Sequence, residues 1–113
     1  MRLNVRFRDL DAPAEARASV EREVRREFAL HTNRLLSAQV TLQRSPPMHG
    51  LGRSSCHIRV RLRDGQSFSS EDHGASVEEA AAAVAWRIGQ RIERSRSLRA
   101  PLARGSSFRR NIA

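Results

Sequence analysis

The chain has 113 residues and a net charge of +9, and all of its 21 basic residues are arginine. A domain of this length buries about 60 to 65% of its unfolded surface, which leaves little room for a large internal active site, and the charge excess favours an anionic partner. The single Cys56 excludes an internal disulfide framework, and Met1 opens an alternating segment rather than a long apolar one, so neither a secretory signal nor a membrane span is expected.

The first predicted element is a strand over residues 2 to 8, where Leu3, Val5 and Phe7 alternate with Arg2, Asn4, Arg6 and Arg8. Asp11 and Pro13 then supply helix start signals. Ala16, Val20, Val24 and Phe28 form one apolar stripe, which predicts a helix to about Leu30. Ala38, Val40 and Leu42 alternate with Gln39, Thr41 and Gln43 in a second strand. Past the loop SPPMHGLG, Cys56, Ile58, Val60 and Leu62 alternate with His57, Arg59, Arg61 and Arg63 in a third.

Asp64-Gly65 signals a hairpin into QSFSSED, a weaker fourth strand held by Phe68. Ser76 and Glu79 have the spacing of a capping box, and Val77, Ala81, Val84, Ile88 and Ile92 mark the buried stripe of a second helix. The expected class is α+β: a two-layer β-α-β-β-β-α domain, with a four-stranded mixed sheet and both helices on one face. A right-handed crossover makes the first two strands parallel, and the Asp64-Gly65 turn makes the last two antiparallel.

The expected domain covers residues 1–95. A basic tail over 96–113 contains Arg96, Arg99, Arg104, Arg109 and Arg110 without an acid, and its Ser, Gly and Pro content predicts disorder in the free chain.

Several arginines line up at helical spacing. Arg87, Arg91 and Arg94 share one ridge of the second helix with no acid on their own side, because Glu93 projects toward the opposite flank. A phosphate backbone would supply the missing charge, and the ridge continues into Arg96. On the first helix Arg22, Arg25 and Arg26 point away from the Val20 stripe. Glu21, Glu23 and Glu27 are interleaved with them, and Glu21 to Arg25 is a favourable pair, so this surface reads equally as a salt-bridged solvent face.

Arg6, Arg8, Arg59, Arg61 and Arg63 are expected on the open face of the sheet. No aromatic accompanies them, so recognition there would use backbone or shape rather than base stacking. Trp86 lies nearly opposite the Val84 and Ile88 stripe, where the tail, a partner or a base could cover it.

No catalytic chemistry is expected. His31, His49, His57 and His73 are scattered, and neighbouring Cys56 and His57 face opposite sides of a strand. No zinc spacing, phosphate loop, GxSxG or HExxH occurs, and Glu71 and Asp72 read as a solvated turn. The expectation is a non-enzyme without metal, cofactor or small-molecule substrate.

The element order, together with MRLNVRF, PAEARASVEREVRREF, SAQVTLQ, CHIRVRLRDGQSFSSE and WRIGQRIERSR, resembles the ribosome hibernation promoting factor and ribosome-associated inhibitor A family, also described as sigma-54 modulation or S30EA proteins. The resemblance covers residues 1 to about 96. It implies a cytoplasmic bacterial factor, monomeric when free, that binds the small ribosomal subunit (16S rRNA and neighbouring ribosomal proteins) and sterically blocks mRNA and tRNA during stress or stationary phase. Arg17 and Arg26 match basic positions of the family's first helix, and Arg87, Arg91, Arg94 and Arg96 match those of its second. Arg22 and Arg25 join them from the reading of the helix face.

The second helix departs from the family pattern where Ser76, Val77 and Glu78 replace an Asp-Met-Tyr type segment. Long family members carry a further C-terminal domain, so the resemblance is to a short form. Two other readings remain: a general double-stranded or structured RNA-binding protein, and a protein-binding regulator of transcription.

Overall fold

The computed structural model describes residues 1–8, 14–48 and 51–103, with 45–48, 51–53 and 96–103 as backbone. In chain order it contains β1 (Arg2–Arg8), α1 (Ala14–Glu27), a 3-10 turn (Ala29–His31), β2 (Leu35–Met48), β3 (Leu51–Leu62), β4 (Ser67–Gly74) and α2 (Val77–Ala103). The sheet order is β1-β2-β3-β4. β1 runs parallel to β2, and the other two pairings are antiparallel. This is the mixed α+β sheet that the alternation and the turn signals predict.

The helices cover one face because each element has one apolar side. Val20, Val24 and Phe28 of α1 and Ala81, Val84, Ile88 and Ile92 of α2 are buried. So are Val5, Ala38, Val40, Leu42, Cys56, Ile58, Val60 and Leu62 from three strands. Burying one large aliphatic side chain contributes roughly 1.5–3 kcal/mol, so this shared layer dominates the fold's stability.

Turns and junctions set the angles. Gly65 N–H donates to the Leu62 carbonyl (3.0 Å), Gly65 has φ +96°, and Gln66 N–H donates to Asp64 Oδ1 (3.0 Å). Glycine adopts that left-handed conformation without a Cβ penalty, and it closes the β3–β4 hairpin. At the β4–α2 junction a Cβ on Gly74 would stand 2.7 Å from the Ala80 nitrogen, so only glycine lets the strand end approach the helix start. Ser76 Oγ accepts from Glu79 N–H (3.1 Å), which is the expected helix cap.

Two boundaries in the first half of the chain differ from the sequence reading, and a third expectation is left open. The start signals at Asp11 and Pro13 lie outside the described residues. α1 ends at Glu27, after which the chain tightens into the 3-10 turn, with His31 N–H donating to the Phe28 carbonyl (2.9 Å). The segment expected to be a loop after Arg44 instead prolongs the hairpin, with Ser45 opposite Arg53 and Met48 opposite Leu51. The register shifts across Pro46 and Pro47. Proline has no N–H for a ladder, so the sheet tolerates it at such an irregularity.

α2 passes the expected boundary at 96 without a break and continues to Ala103. A helix already nucleated by a packed stripe adds turns without a second nucleation penalty, and Arg, Leu and Ala are good helix formers; Pro101, which has no N–H to donate, opposes them in the last turn. The rest of the expected tail, 104–113, lies outside the described residues.

Candidate nucleic-acid interface

The ridge on α2 has its compensating partners on β4. Arg87 Nη2 donates to Asp72 Oδ2 at 2.8 Å, and its Nη1 reaches Ser70 Oγ and the Glu71 carbonyl at 3.4 Å each. Arg91 Nη1 donates to the Ser69 carbonyl at 2.7 Å, and its guanidinium carbon sits 4.9 Å from the centroid of the Phe68 ring. The expectation that this ridge lacks an opposite charge therefore fails for Arg87. Its acid comes from a neighbouring strand, which helical spacing cannot reveal. Arg94 is exposed and has no partner among the described residues.

Asp72 is a β4 residue rather than part of a solvated turn. The His73 backbone N–H, which donates to Oδ1 at 2.8 Å, holds its carboxyl below the ordinary value. Desolvation opposes this, and the Arg87 guanidinium adds to the lowering through its charge and its hydrogen bond. A hydrogen-bonded, ion-paired carboxylate keeps its charge to lower pH.

On α1, Arg26 pairs with Glu23 at 2.7 Å. The expected Glu21–Arg25 pair does not form, and Arg22 and Arg25 are exposed without a carboxylate partner among the described residues. Arg17 points elsewhere. It donates to the carbonyl of Val5 on the edge strand β1, and its guanidinium carbon lies 5.2 Å from the Phe7 ring centroid. Two arginines not expected at the site also hold the frame: Arg34 Nη1 donates to the Ile92 carbonyl (3.0 Å), and Arg63 Nε to the Asn33 carbonyl (3.1 Å).

The eight predicted positions thus sort by role. Arg22, Arg25 and Arg94 are free cations on the helical layer, whereas Arg17, Arg26, Arg87 and Arg91 already bind other parts of the chain. Arg87 still offers half of its side chain to solvent, at 49% exposure. Arg96 lies in the α2 backbone, and its side chain is outside the described residues.

The opposite side of the sheet carries Arg2, Arg6, Arg8, Arg59 and Arg61, all exposed and without a partner among the described residues. Arg63, expected there, follows the end of β3 and is occupied by Asn33. Phe7 and Phe68 are half-buried on the helix side, so no aromatic platform faces solvent from the strands.

Other chemistry is poorly served. Burial, with a smaller effect from Glu71, pushes the Cys56 thiol up to about 12, which keeps it protonated and unreactive near neutrality. His57 projects to solvent on the other side of β3. Among the described residues no three His, Cys, Asp or Glu side chains gather as a metal site, and no helix is long and apolar enough to cross a membrane. Trp86 is 58% exposed on the outer side of α2, opposite the buried stripe as its helical position predicts.

Residues 3–99 match the family model described as sigma 54 modulation protein / S30EA ribosomal protein. The chain is also similar to the solved N-terminal domain of Thermus thermophilus Protein Y, with 21% identity and a TM-score of 0.66 over 84% of this chain and 99% of that one. A ribosomal subunit interface protein from Coxiella burnetii is similar at 9% identity and a TM-score of 0.69, over 86% of this chain and 99% of the other. Both likenesses are likenesses of fold. No curated protein matches the chain.

Proposed function

The chain belongs to the sigma 54 modulation protein / S30EA ribosomal protein family, and on that premise we propose that it is a ribosome-associated translation inhibitor acting on the small subunit. The observation that carries this reading is the set of exposed, unpaired guanidiniums of Arg22, Arg25 and Arg94 on the helical layer. Forked donors of this kind suit rRNA phosphates, and guanidiniums without an ion-pair partner of their own gain most from meeting them.

The mechanism is occupancy. A rigid two-layer domain seated where mRNA and tRNA would lie excludes both sterically, and no bond is made or broken. Binding driven by phosphate contacts is reversible and salt-sensitive, which suits a cytoplasmic factor, monomeric when free, that is engaged in stress or stationary phase and released when growth resumes. Arg87 and Arg91 serve the same surface indirectly, because they lock α2 onto β4 and so fix the orientation of Arg94. Arg17 and Arg26 have comparable supporting positions around α1.

Co-sedimentation with 30S subunits, 50S subunits and duplex RNA tests the proposal, with the Arg22→Ala, Arg25→Ala, Arg94→Ala triple variant alongside. Selective 30S binding is expected, and the variant should flatten the log-log salt slope by about 2.7 if each guanidinium neutralises one phosphate. Equal binding to all three RNAs would favour a general RNA-binding protein. Failure to bind any RNA, with retention on an acidic protein surface, would favour a protein-binding regulator.

A further inference from the structure

Among the described residues the open face of the sheet holds more arginines without a partner than the helical layer, and the register shows how they are arranged. Across the strands one row runs Arg2, Ser37, Arg61, Ser67, and the next runs Asn4, Gln39, Arg59, Ser69. Ser37, Gln39, Arg59, Arg61 and Ser67 line an open depression of about 260 Å³. A second, of about 250 Å³, adjoins it through Ser37 and Gln39 and reaches Arg2 and Asn4. No carboxylate lines either one.

We propose that this depression is a second RNA site, which grips the phosphodiester backbone of a single strand through Arg59 and Arg61. The inference rests on the ribosomal reading only in taking RNA as the polymer. Ser, Asn and Gln side chains beside the guanidiniums add neutral donors around a bound phosphate oxygen, and the lining has no acid to repel it. Arg59 and Arg61 stand two residues apart on one strand, so their side chains leave the same face about 6.8 Å apart and can take neighbouring phosphates of an extended chain.

An acidic peptide is the poorer occupant. Protein partners draw most of their affinity from aromatic or aliphatic anchors seated in desolvated pockets. The two rows offer none, whereas phosphate binding needs only charge and donors. Without an exposed ring to stack on, the site reads backbone and not base. With the helical layer on its other side, the domain then engages two RNA segments at once.

Fluorescence anisotropy with a labelled 12-nucleotide uridine RNA tests the site on the intact protein, independently of any ribosome. Arg59→Ala with Arg61→Ala should weaken binding roughly 10- to 30-fold at 0.1 M salt and flatten the log-log salt slope by about 1.4. Arg59→Lys with Arg61→Lys should keep the slope, and an adenosine 12-mer should bind like the uridine one. In the wild-type protein, amide NMR shifts on adding RNA should centre on Ser37, Gln39 and Ser67.

Affinity of the alanine variant within twofold of wild type, or shifts confined to the helices, would overturn the proposal. Stronger binding of poly-glutamate than of RNA at Arg59 and Arg61 would overturn it as well. Because the oligonucleotide replaces the ribosome, a failure of 30S binding would refute the ribosomal reading and leave this result to stand by itself.

Discussion

Arg87 of α2 places Nη2 2.8 Å from Oδ2 of Asp72 on β4, fifteen positions earlier in the chain. The side chains are 49% and 37% exposed, so water screens the pair, and it serves more to orient α2 on the sheet than to stabilise the fold.

Asp72→Asn should therefore lower stability by less than about 1 kcal/mol at pH 7. Because the folded carboxyl titrates below its ordinary value, its stabilisation is present above the unfolded pKa and is lost as pH falls through the lower folded one. Urea unfolding of wild type and variant should differ at pH 7 and converge in strong acid. An equal difference at both extremes would show that the carboxylate's charge is not what matters.

Gly74 and Gly65 should respond differently to alanine. A Cβ at Gly74 meets the Ala80 backbone nitrogen at 2.7 Å, and a helix start cannot rotate aside as a flexible side chain would. A loss of about 1–3 kcal/mol is expected from such overpacking. At Gly65 nothing lies within 4 Å, so only the positive φ opposes substitution. Asparagine, which tolerates that region, should recover much of the loss at Gly65 and none at Gly74. Thermal unfolding of the four variants checks both statements.

The Cys56 thiol should resist alkylation in the native protein at pH 8.5 and react fully once the chain is unfolded, because burial holds its pKa near 12. The native state keeps a proton that the unfolded chain releases, so stability is intact below the thiol's ordinary value of 9.0 and falls as pH rises toward 12. Alkylation followed by mass spectrometry reads the first effect, and denaturant unfolding between pH 8 and 11 the second.

Trp86 is the chain's single tryptophan and a built-in reporter of the helical layer. Its emission should lie near that of solvent-exposed indole and be readily quenched by acrylamide in the free protein. On the 30S subunit both properties should change if the helical layer makes the contact. Trp86→Ala should change stability by less than about 0.5 kcal/mol, as befits a surface position away from the core.

Local pattern alone was enough to read the element order, the inner face of every strand, both helical stripes, the Ser76 cap and the Asp64-Gly65 hairpin. Each depends on period or on near neighbours: alternation at two residues, recurrence at 3.6, a side chain bonding to its own backbone two or three positions on. Membership of the family rests on the same local patterns. The candidate site was legible only in outline.

Arginine positions could be read, but their partners could not, and the partners separate a free cation from a structural one. Asp72 and Phe68 meet Arg87 and Arg91 only because β4 is packed under α2, and Val5 meets Arg17 only because β1 is the sheet edge. The pairing of β2 with β3 likewise brings Ser37 and Gln39 beside Arg61 and Arg59. Tertiary packing settles which guanidiniums are bound within the fold and which stay exposed without a partner among the described residues, because charge compensation acts over a few ångströms of space, whatever the separation along the chain.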